Sequence, residues 1–291
     1  MRPTRVPLAL LAGETLDAAF GDPPNAAHPV AWFGRLAASL DRYAPRTRAA
    51  GVVATSVLVA ASALAAARLG RFGAPLVLWV TMSRRTLLAR AEEVAGALEA
   101  DDLVEARRLL AHHLVSRDTS ALDASEVAGA TIESVAENLS DGVVAPSCWY
   151  LLAGPGGAAG YRALNTLDGM WGYRTPRYEA FGWAAARGDD VANLLPARLT
   201  ALALTLAAGQ DAARSARVWR RDRGLTDSPN AGHPMAAMAG ALGVTLTKRG
   251  QYALGEGGRA PEARDIRRAV ALADRASLIA LAGALLVGSR R

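Results

Sequence analysis

Cysteine and lysine are scarce in this 291-residue sequence, and each scarcity removes a class of function. The single cysteine, Cys148, excludes an intramolecular disulfide framework and a cysteine-based zinc site. Lys248 is the only lysine, so the sequence contains no Gly-x-x-x-x-Gly-Lys-Ser/Thr phosphate-binding loop. Dense basic runs interleaved with aromatic residues are also lacking, which argues against a nucleic-acid partner despite the formal charge of +6.

Aromatic residues make up only 5% of the chain, whereas hydrophobic residues make up 51%. The apolar excess therefore consists of Ala, Leu and Val, which favour close packing of helices over sheets. This composition predicts an all-α protein. The positive mean hydropathy is high for a soluble protein and indicates a membrane location.

Apolar runs predict a polytopic helical integral membrane protein with about four to six spans. The clearest candidate, Ala49 to Ala67, is flanked by arginines and has close to the length that a bilayer requires. Other candidates are Val143 to Tyr161, Leu194 to Gly209, and Ala269 to Gly288. Pro146 and the Gly154 to Gly157 segment should bend the first of these. The segment from Met1 to Phe20 predicts a retained helix, because acidic residues interrupt its apolar core.

A polar helical insertion at about 83–141 separates the first two candidate spans of what we expect to be a single domain, 1–291. Within it, Arg84 to Leu114 has apolar residues at helical spacing and charged residues on the other faces. This pattern predicts amphipathic helices on the aqueous side of the membrane.

A charge asymmetry marks the end of this insertion, because no lysine or arginine occurs from Asp118 to Tyr161. On an ideal helix, Glu126, Glu133, Glu137 and Asp141 fall within about 80° of one another and form a carboxylate stripe. Like charges at this spacing repel, so the stripe calls for a cation, and oxygen ligands suit Mg²⁺ bound to nucleotide phosphates. A solvated acidic face is the alternative interpretation.

Further polar side chains precede the third candidate span. Asn165 and Asp168 are followed by Asp189, Asp190 and Asn193, of which Asp189 and Asn193 share a helical face. They offer a second set of oxygen ligands or hydrogen-bond acceptors. For Asp189, Asp190 and Asn193, an ordinary helix N-cap is the alternative interpretation.

Two turns rich in Gly, Pro and Asn lie beside apolar helices. One runs from Gly21 through Asn25 to His28, and the other runs from Asp227 through Asn230 to His233. Such residues are common in any tight turn. They can also line a cradle for phosphate or carboxylate, in which the two histidines would be acid/base candidates.

As an ordered set, these motifs resemble the CobD/CbiB family of adenosylcobinamide-phosphate synthases along nearly the whole chain. The matching segments are Gly21-Asp22-Pro23 with His28-Pro29-Val30, Ser116 to Thr119, Glu133 to Asn138 with Asp141, Asn165 to Tyr173, Asp189 to Arg198, and Ser228-Pro229-Asn230. The sequence departs from the family pattern at His233 to Met238 and at Lys248 to Gly258. Neither segment is therefore assigned to the site.

The resemblance implies a cobalamin-pathway ligase that joins (R)-1-amino-2-propanol, or its phosphate, to the carboxyl of adenosylcobyric acid. An inert carboxylate requires activation by ATP with Mg²⁺, through an acyl phosphate or an adenylate. The family also implies a multi-pass protein of the bacterial inner membrane, in contact with lipid, with its active site facing the cytoplasm. Other corrinoid-assembly enzymes or a second copy of the chain are the protein partners to be considered.

On this resemblance we assign roles in three groups. Magnesium ligands are Glu133, Glu137 and Asp141. Catalytic candidates are Asp168, Asp189 and Asp190, either as the base that deprotonates the amine or as supporting ligands. Nucleotide- or substrate-binding residues are Arg117, Asp118, Asn138, Asn165, Asn193, Arg198, Ser228 and Asn230.

Two other classes of function remain open on the sequence. A membrane transporter would explain intramembrane charges such as Asp274 and Arg275, although it predicts broken helices in two repeated halves, which the sequence does not display. A non-catalytic scaffold for corrinoid-assembly enzymes would tolerate neutralisation of the acidic stripe.

Overall fold

The structure is a computed structural model that describes residues 5–290, apart from the side chains at positions 5 and 71. It is predominantly helical, as predicted, and includes one short two-stranded ribbon that the sequence did not predict. The helices are α1 (Arg5–Phe20), α2 (Pro29–Tyr43), α3 (Arg48–Arg68), α4 (Gly70–Thr81), α5 (Arg84–Glu99), α6 (Leu103–His113), α7 (Ala124–Leu139), α8 (Ala145–Trp171), α9 (Trp183–Ala192), α10 (Leu194–Ala207), α11 (Ala212–Asp222), α12 (Gly232–Leu242) and α13 (Ala263–Ser289). The strands are β1 (Leu246–Lys248) and β2 (Tyr252–Leu254).

The chain divides into two compact units. The first comprises residues 1–83, 141–193 and 283–291, and the second comprises residues 84–140 and 194–282. The inserted segment of the sequence prediction thus belongs to the same unit as the region after residue 193. The retained helix predicted from Met1 is described from Arg5 onward as α1, since residues 1–4 and 291 lie outside the described residues.

Small residues allow close helix packing in the first unit. A Cβ at Gly51 on α3 would lie 1.8 Å from the Phe181 carbonyl oxygen, and Gly156 and Gly160 on α8 pack against Ala63 on α3. Trp171 and Phe181 meet edge to face beside this contact, with ring centroids 4.9 Å apart. Glycine therefore sets how closely the backbones approach here.

Two described helices, α3 and α13, are long and apolar enough to cross a membrane. They contain the candidate spans Ala49 to Ala67 and Ala269 to Gly288, which are confirmed as long apolar helices. Only 22% of the apolar window of either helix is buried within the protein, so most of that surface faces outward. The predicted total of four to six spans is not confirmed.

The other two candidate spans correspond to a bent helix and a short helix. Helix α8 is interrupted at Ala153 and Gly154, where Gly154 adopts φ 64° and ψ −155°, so the predicted bend is confirmed. Helix α10 has 14 residues and ends at Ala207, which gives it a length of about 21 Å. This is shorter than about 30 Å of hydrocarbon, so the candidate span at Leu194 to Gly209 is not confirmed.

Helices α7 and α12 form the centre of the second unit. All of α12 is buried, and α7 is buried from Val127 to Ala136, including the Glu133 side chain. Helix α7 begins with a capping box in which Asp123 and Glu126 exchange hydrogen bonds with each other's backbone. A π-helical turn, Ser140–Val144, follows α7 and changes the spacing that an ideal α-helix would continue.

The ribbon is antiparallel and pairs Lys248 directly with Tyr252. Gly250 in its turn adopts φ 71°, a left-handed conformation that suits glycine. Because residues paired directly across a ribbon point to the same face, Lys248 and Tyr252 are presented together.

Candidate active site

A polar cavity in the second unit surrounds Glu133. We call it the Glu133 cavity; its volume is about 210 Å³, and its lining includes Arg117, Glu137, Lys248 and Tyr252. Glu133 is 6% exposed, and its Oε1 is buried without a hydrogen-bond partner among the described groups. Its Oε2 lies 3.7 Å from Nη2 of Arg117. The cavity therefore combines a buried acid with two cationic side chains.

Burial raises the pKa of Glu133 to about 7 and outweighs the opposing effects of Arg117 and of the hydrogen bond from Tyr252. Glu137, one turn further along α7, adds repulsion that also raises this pKa. Burial and the neighbouring carboxylates raise the pKa of Tyr252 as well, so its hydroxyl stays protonated and donates. A carboxyl that titrates near neutral pH is suited to exchanging protons or binding a cation.

Asn138 and Ser134 hold the loop that carries Arg117. The Asn138 amide donates to the backbone carbonyl of Ser134 and to its hydroxyl, 2.9 and 3.0 Å away. The Ser134 hydroxyl donates in turn to the Leu114 carbonyl at 2.8 Å. In this structure Asn138 therefore positions the cavity wall, and its predicted role in nucleotide binding stays a prediction.

Asp118 shapes the same loop from its exposed side. Its carboxylate accepts hydrogen bonds from the backbone N–H and the hydroxyl of Ser120, at 2.9 and 3.0 Å. The Ser120 backbone contact, followed by the hydroxyl contact, lowers the pKa of Asp118. Asp118 thus forms a turn directly after Arg117.

The predicted carboxylate stripe is divided in the structure. Glu126 caps α7 and forms an ion pair with Arg249, while Glu133 and Glu137 line the cavity. Asp141 lies in the π-helical turn and belongs to the first unit. The π-helical turn explains why the ideal-helix angle did not describe the surroundings of Asp141.

A second polar cluster lies within the first unit, and we call it the Asp189 cluster. The Asn165 amide donates to Asp141 Oδ2 and to Asp189 Oδ1, both at 3.2 Å. The Asn193 amide donates to Asp189 Oδ2 at 2.9 Å, and the Tyr161 hydroxyl donates to Asn193 Oδ1 at 2.9 Å. The structure thus brings together four predicted site residues, with Tyr161 as an addition that the sequence argument missed.

Burial raises the pKa of Asp189, and the hydrogen bonds from Asn165 and Asn193 oppose that rise. Its neighbour Asp190 points to a different environment, where its carboxylate lies 3.3 Å from Nη1 of Arg187. Asp168 is half-buried on α8, three residues beyond Asn165. The predicted catalytic roles of these three carboxylates stay predictions.

The turn before α12 has a polar arrangement of its own. Arg198 Nη1 donates to the Leu194 carbonyl at 2.6 Å and to Asn230 Oδ1 at 3.3 Å. The Ser228 hydroxyl accepts from the backbone N–H groups of Asn230 and Ala231, at 3.2 and 3.3 Å. Ser228 therefore shapes the turn while Arg198 fixes the Asn230 side chain.

His233 follows this turn and accepts a hydrogen bond on Nδ1 from the Trp219 indole N–H at 3.0 Å. Burial, reinforced by Arg198 and Arg223, lowers the pKa of His233 to about 4. The imidazole is therefore neutral at physiological pH.

No group of three or more His, Cys, Asp or Glu side chains that could hold a metal ion by itself occurs within residues 5–290. Glu133 and Glu137 nevertheless suit a cation that takes other ligands from a substrate, because the buried Glu133 Oε1 lacks a partner among the described groups. Magnesium binding there, and at Asp141, stays a prediction.

Lys248 and Tyr252, like Tyr161, are site residues that the sequence argument left out. They enter the Glu133 cavity from a ribbon more than a hundred positions away from α7, in the segment that departs from the family pattern. The available signal was that Lys248 is the only lysine in an arginine-rich chain.

Comparison of the sequence with known proteins identifies its family. Residues 10–276 match the profile described as CobD/Cbib protein. The cobalamin biosynthesis protein CobD of Chromobacterium violaceum is 43% identical over 98% of this chain and 97% of its own length. Proteins of the same name from Mycobacterium tuberculosis H37Rv and Stutzerimonas stutzeri are 42% and 45% identical, each over 91% of this chain and over 90% and 92% of their own lengths.

No solved structure matches the chain. The profile match and the relatives agree in covering nearly the entire sequence, including α7, the Asp189 cluster and the turn before α12. The chain therefore belongs to the CobD/CbiB family.

Proposed function

We propose that this protein acts in cobalamin biosynthesis as an ATP-dependent acid–amine ligase. It joins (R)-1-amino-2-propanol, or its phosphate, to the free carboxyl of adenosylcobyric acid. A carboxylate oxygen attacks the γ-phosphorus of ATP and forms an acyl phosphate. The bond between that phosphorus and the bridging oxygen breaks, and ADP leaves. The amine nitrogen then attacks the acyl carbon, phosphate leaves with the carbon–oxygen electron pair, and a base takes the ammonium proton.

The Glu133 cavity is the observation that carries this proposal. ATP-dependent activation brings together several negative groups, so its site needs fixed cationic partners and a water-poor wall. Arg117 and Lys248 supply positive charge in the same cavity as a buried carboxyl, and Tyr252 supplies a protonated hydroxyl. A solvated acidic face would not bury Glu133 or raise its pKa to about 7.

We assign roles by the position of each group. Arg117 and Lys248 stabilise phosphate oxygens, and Asn138 with Ser134 keeps the Arg117 loop in place. Glu133 and Glu137 would hold Mg²⁺, which supplies charge neutralisation for the phosphates when bound. Asp189 lies in the first unit, and its predicted role as the base that deprotonates the amine stays a prediction.

The proposal includes a location in the bacterial inner membrane. Helices α3 and α13 have the required length and hydropathy, and α3 leaves Val53, Val57 and Leu64 about 60% exposed. Contact of this apolar surface with lipid hydrocarbon has no free-energy cost, whereas its exposure to water is unfavourable. Since ATP is cytoplasmic, we propose that the polar clusters face the cytoplasm. Carbonate-resistant membrane association tests the location, and recovery of active protein from a detergent-free soluble fraction contradicts it.

The reaction is tested by nucleotide turnover in detergent-purified protein. ADP or AMP release should require both cobyric acid and aminopropanol, and identification of the released nucleotide separates an acyl phosphate from an adenylate. Glu137→Gln should abolish corrinoid-dependent turnover, with partial recovery at raised Mg²⁺, because it removes one anionic ligand. Glu105→Gln is the matched control, since Glu105 is exposed and its ion pair with Arg108 lies on the surface.

Near-normal turnover by Glu137→Gln at limiting Mg²⁺ would remove Glu137 from the metal site. Nucleotide release that is independent of cobyric acid would contradict the ligase proposal itself. Corrinoid uptake into vesicles without nucleotide-dependent amide formation would favour the transporter alternative.

A further inference from the structure

The first unit contains a larger cavity of different character from the Glu133 cavity. Its volume is about 700 Å³, within the range of roughly 300–1,000 Å³ that is typical of small-molecule sites. We call it the α3 cavity, because α3 lines it together with α2, α4, α8 and the loop before α2. Its wall is almost wholly apolar, with Val30, Phe33, Val77 and Val80 among the lining side chains.

Arg162 is the charged member of this lining set. Its Nε is buried and has no hydrogen-bond partner among the described groups. A buried guanidinium N–H without an acceptor carries an uncompensated desolvation cost. Placed in the wall of an apolar cavity, it favours a ligand that brings both an anionic oxygen and apolar surface.

His28 is the titratable neighbour of Arg162, and an imidazole cannot provide the missing anionic oxygen. Burial, together with the positive charge of Arg162, lowers the pKa of His28, so the imidazole stays neutral at physiological pH. The adjoining loop is fixed by the Trp79 indole N–H, which donates to the Gly21 carbonyl at 2.8 Å. Pro23 and Ala27 of that loop line the cavity beside these groups.

The rim of the cavity is apolar and open. Leu69 and Leu76 line it and are 58% and 53% exposed, respectively. Leu69 directly follows α3, and Ser62, Ala65 and Ala66 on α3 also contribute to the wall. The cavity is thus continuous with the exposed apolar surface of a helix that has the length and hydropathy of a membrane span.

We infer that the α3 cavity binds an anionic membrane phospholipid, with an acyl chain against the apolar wall and the headgroup phosphate at Arg162. The inference rests on the proposed membrane location of α3. ATP fits this cavity poorly, because a triphosphate needs several cationic partners and the lining offers one. A zwitterionic lipid such as phosphatidylcholine also carries a phosphate, but its choline cation offsets that charge, so a net anionic headgroup should bind more tightly at Arg162.

The test uses Trp79, which lines the cavity, as the reporter of what occupies it. Full-length protein is placed in bilayer nanodiscs of brominated phosphatidylcholine, whose acyl-chain bromines quench nearby indoles. The Trp79 signal is obtained as the difference between wild type and Trp79→Phe. Unbrominated phosphatidylglycerol is then titrated in, and recovery of the Trp79 signal at low mole fraction is expected.

Arg162→Gln should require about five times more phosphatidylglycerol for the same recovery, the fold-change equivalent to the roughly 1 kcal/mol that one arginine contributes beside an anionic bilayer surface. Arg42→Gln, at an exposed arginine on α2, is the matched control and should behave as wild type. The readout is independent of nucleotide turnover, so its failure is separate from failure of the ligase proposal.

Three results would overturn the inference. Trp79 that is not quenched in pure brominated lipid would mean that acyl chains do not enter the cavity. Equal titration curves for wild type and Arg162→Gln would remove the headgroup contact. Displacement of phosphatidylglycerol by inorganic phosphate at millimolar concentration would identify a site for a soluble phosphate instead of a lipid.

Discussion

Replacing Glu133 with Gln should make the protein more stable at pH 8 and leave its stability at pH 4 almost unchanged. The reason is the difference between the ordinary glutamate pKa of 4.5 and the value of about 7 that burial imposes in the folded protein. Gln has nearly the same size and can still accept the hydrogen bond from Tyr252, but it does not ionise.

The pH dependence follows from where the proton is bound. Below pH 4.5 the Glu133 carboxyl is protonated in both the folded and the unfolded chain, so ionisation costs nothing. Between pH 4.5 and about 7 the unfolded chain releases its proton while the folded protein keeps it, and the free energy of unfolding falls. Above pH 7 both states are ionised and the loss is complete.

The size of this loss is about 1.4 kcal/mol for each pH unit between the two pKa values, or roughly 3 kcal/mol in all. Glu133→Gln removes this loss, so its free energy of unfolding at pH 8 should exceed that of wild type by up to about 3 kcal/mol. In a chain of this size, such a gain raises the melting temperature by up to about 5 °C.

The assay is thermal unfolding in detergent at pH 5, 6, 7 and 8, with the difference between variant and wild type as the measured quantity. Glu105→Gln is the control and should show no comparable pH dependence. The hydrogen bond from Arg108 lowers the pKa of Glu105, so this carboxyl is ionised in both the folded and the unfolded chain from pH 5 to 8. A Glu133→Gln protein that is less stable than wild type at pH 8 would refute the reasoning. It would mean that the carboxylate stabilises the fold through Arg117.

Two further substitutions test the packing and hydrogen bonding of the first unit. Asn165→Leu should lower the free energy of unfolding by about 1–3 kcal/mol in a denaturant titration, because two carboxylates lose the amide that they share; an unchanged midpoint would mean that the amide has no structural role. Gly51→Ala should destabilise by a similar amount, since its methyl would overlap a backbone carbonyl. Gly96→Ala, at an open helical position, should instead stabilise by up to about 1 kcal/mol, and equal effects of the two alanines would contradict this account.

The helices that the sequence predicted best are those whose pattern is local. An uncharged run of about twenty residues between arginines needs no tertiary information to become α3. The bend in α8 lies at Ala153 and Gly154, directly before Pro155, so the Gly154 to Gly157 segment was the local signal that predicted it. Pro146 lies in the first turn of α8, where proline is tolerated, and it does not cause the bend. The shortness of α10 was also visible locally, because the candidate run from Leu194 to Gly209 has only 16 residues, two more than the helix itself.

The candidate site was predictable only in part. Helical periodicity correctly placed Glu133 and Glu137 one turn apart, but it extended the stripe through Asp141, where a π-helical turn intervenes. Periodicity also carries no information about side chains that arrive from distant segments. Lys248 and Tyr252 are such side chains, and their position depends on tertiary packing.

The Glu133 cavity depends on the length of the turn in the ribbon that carries Lys248 and Tyr252, as well as on the identity of these side chains. The two residues are paired across the ribbon and share one face, while Thr247 and Ala253 occupy the other. One residue inserted after Gly250 would shift the pairing of one strand and exchange its faces, so that a cation or a phenol would be replaced by a small side chain. Evolution can therefore lengthen this turn without losing the site only where a bulge or a second added residue restores the alternation.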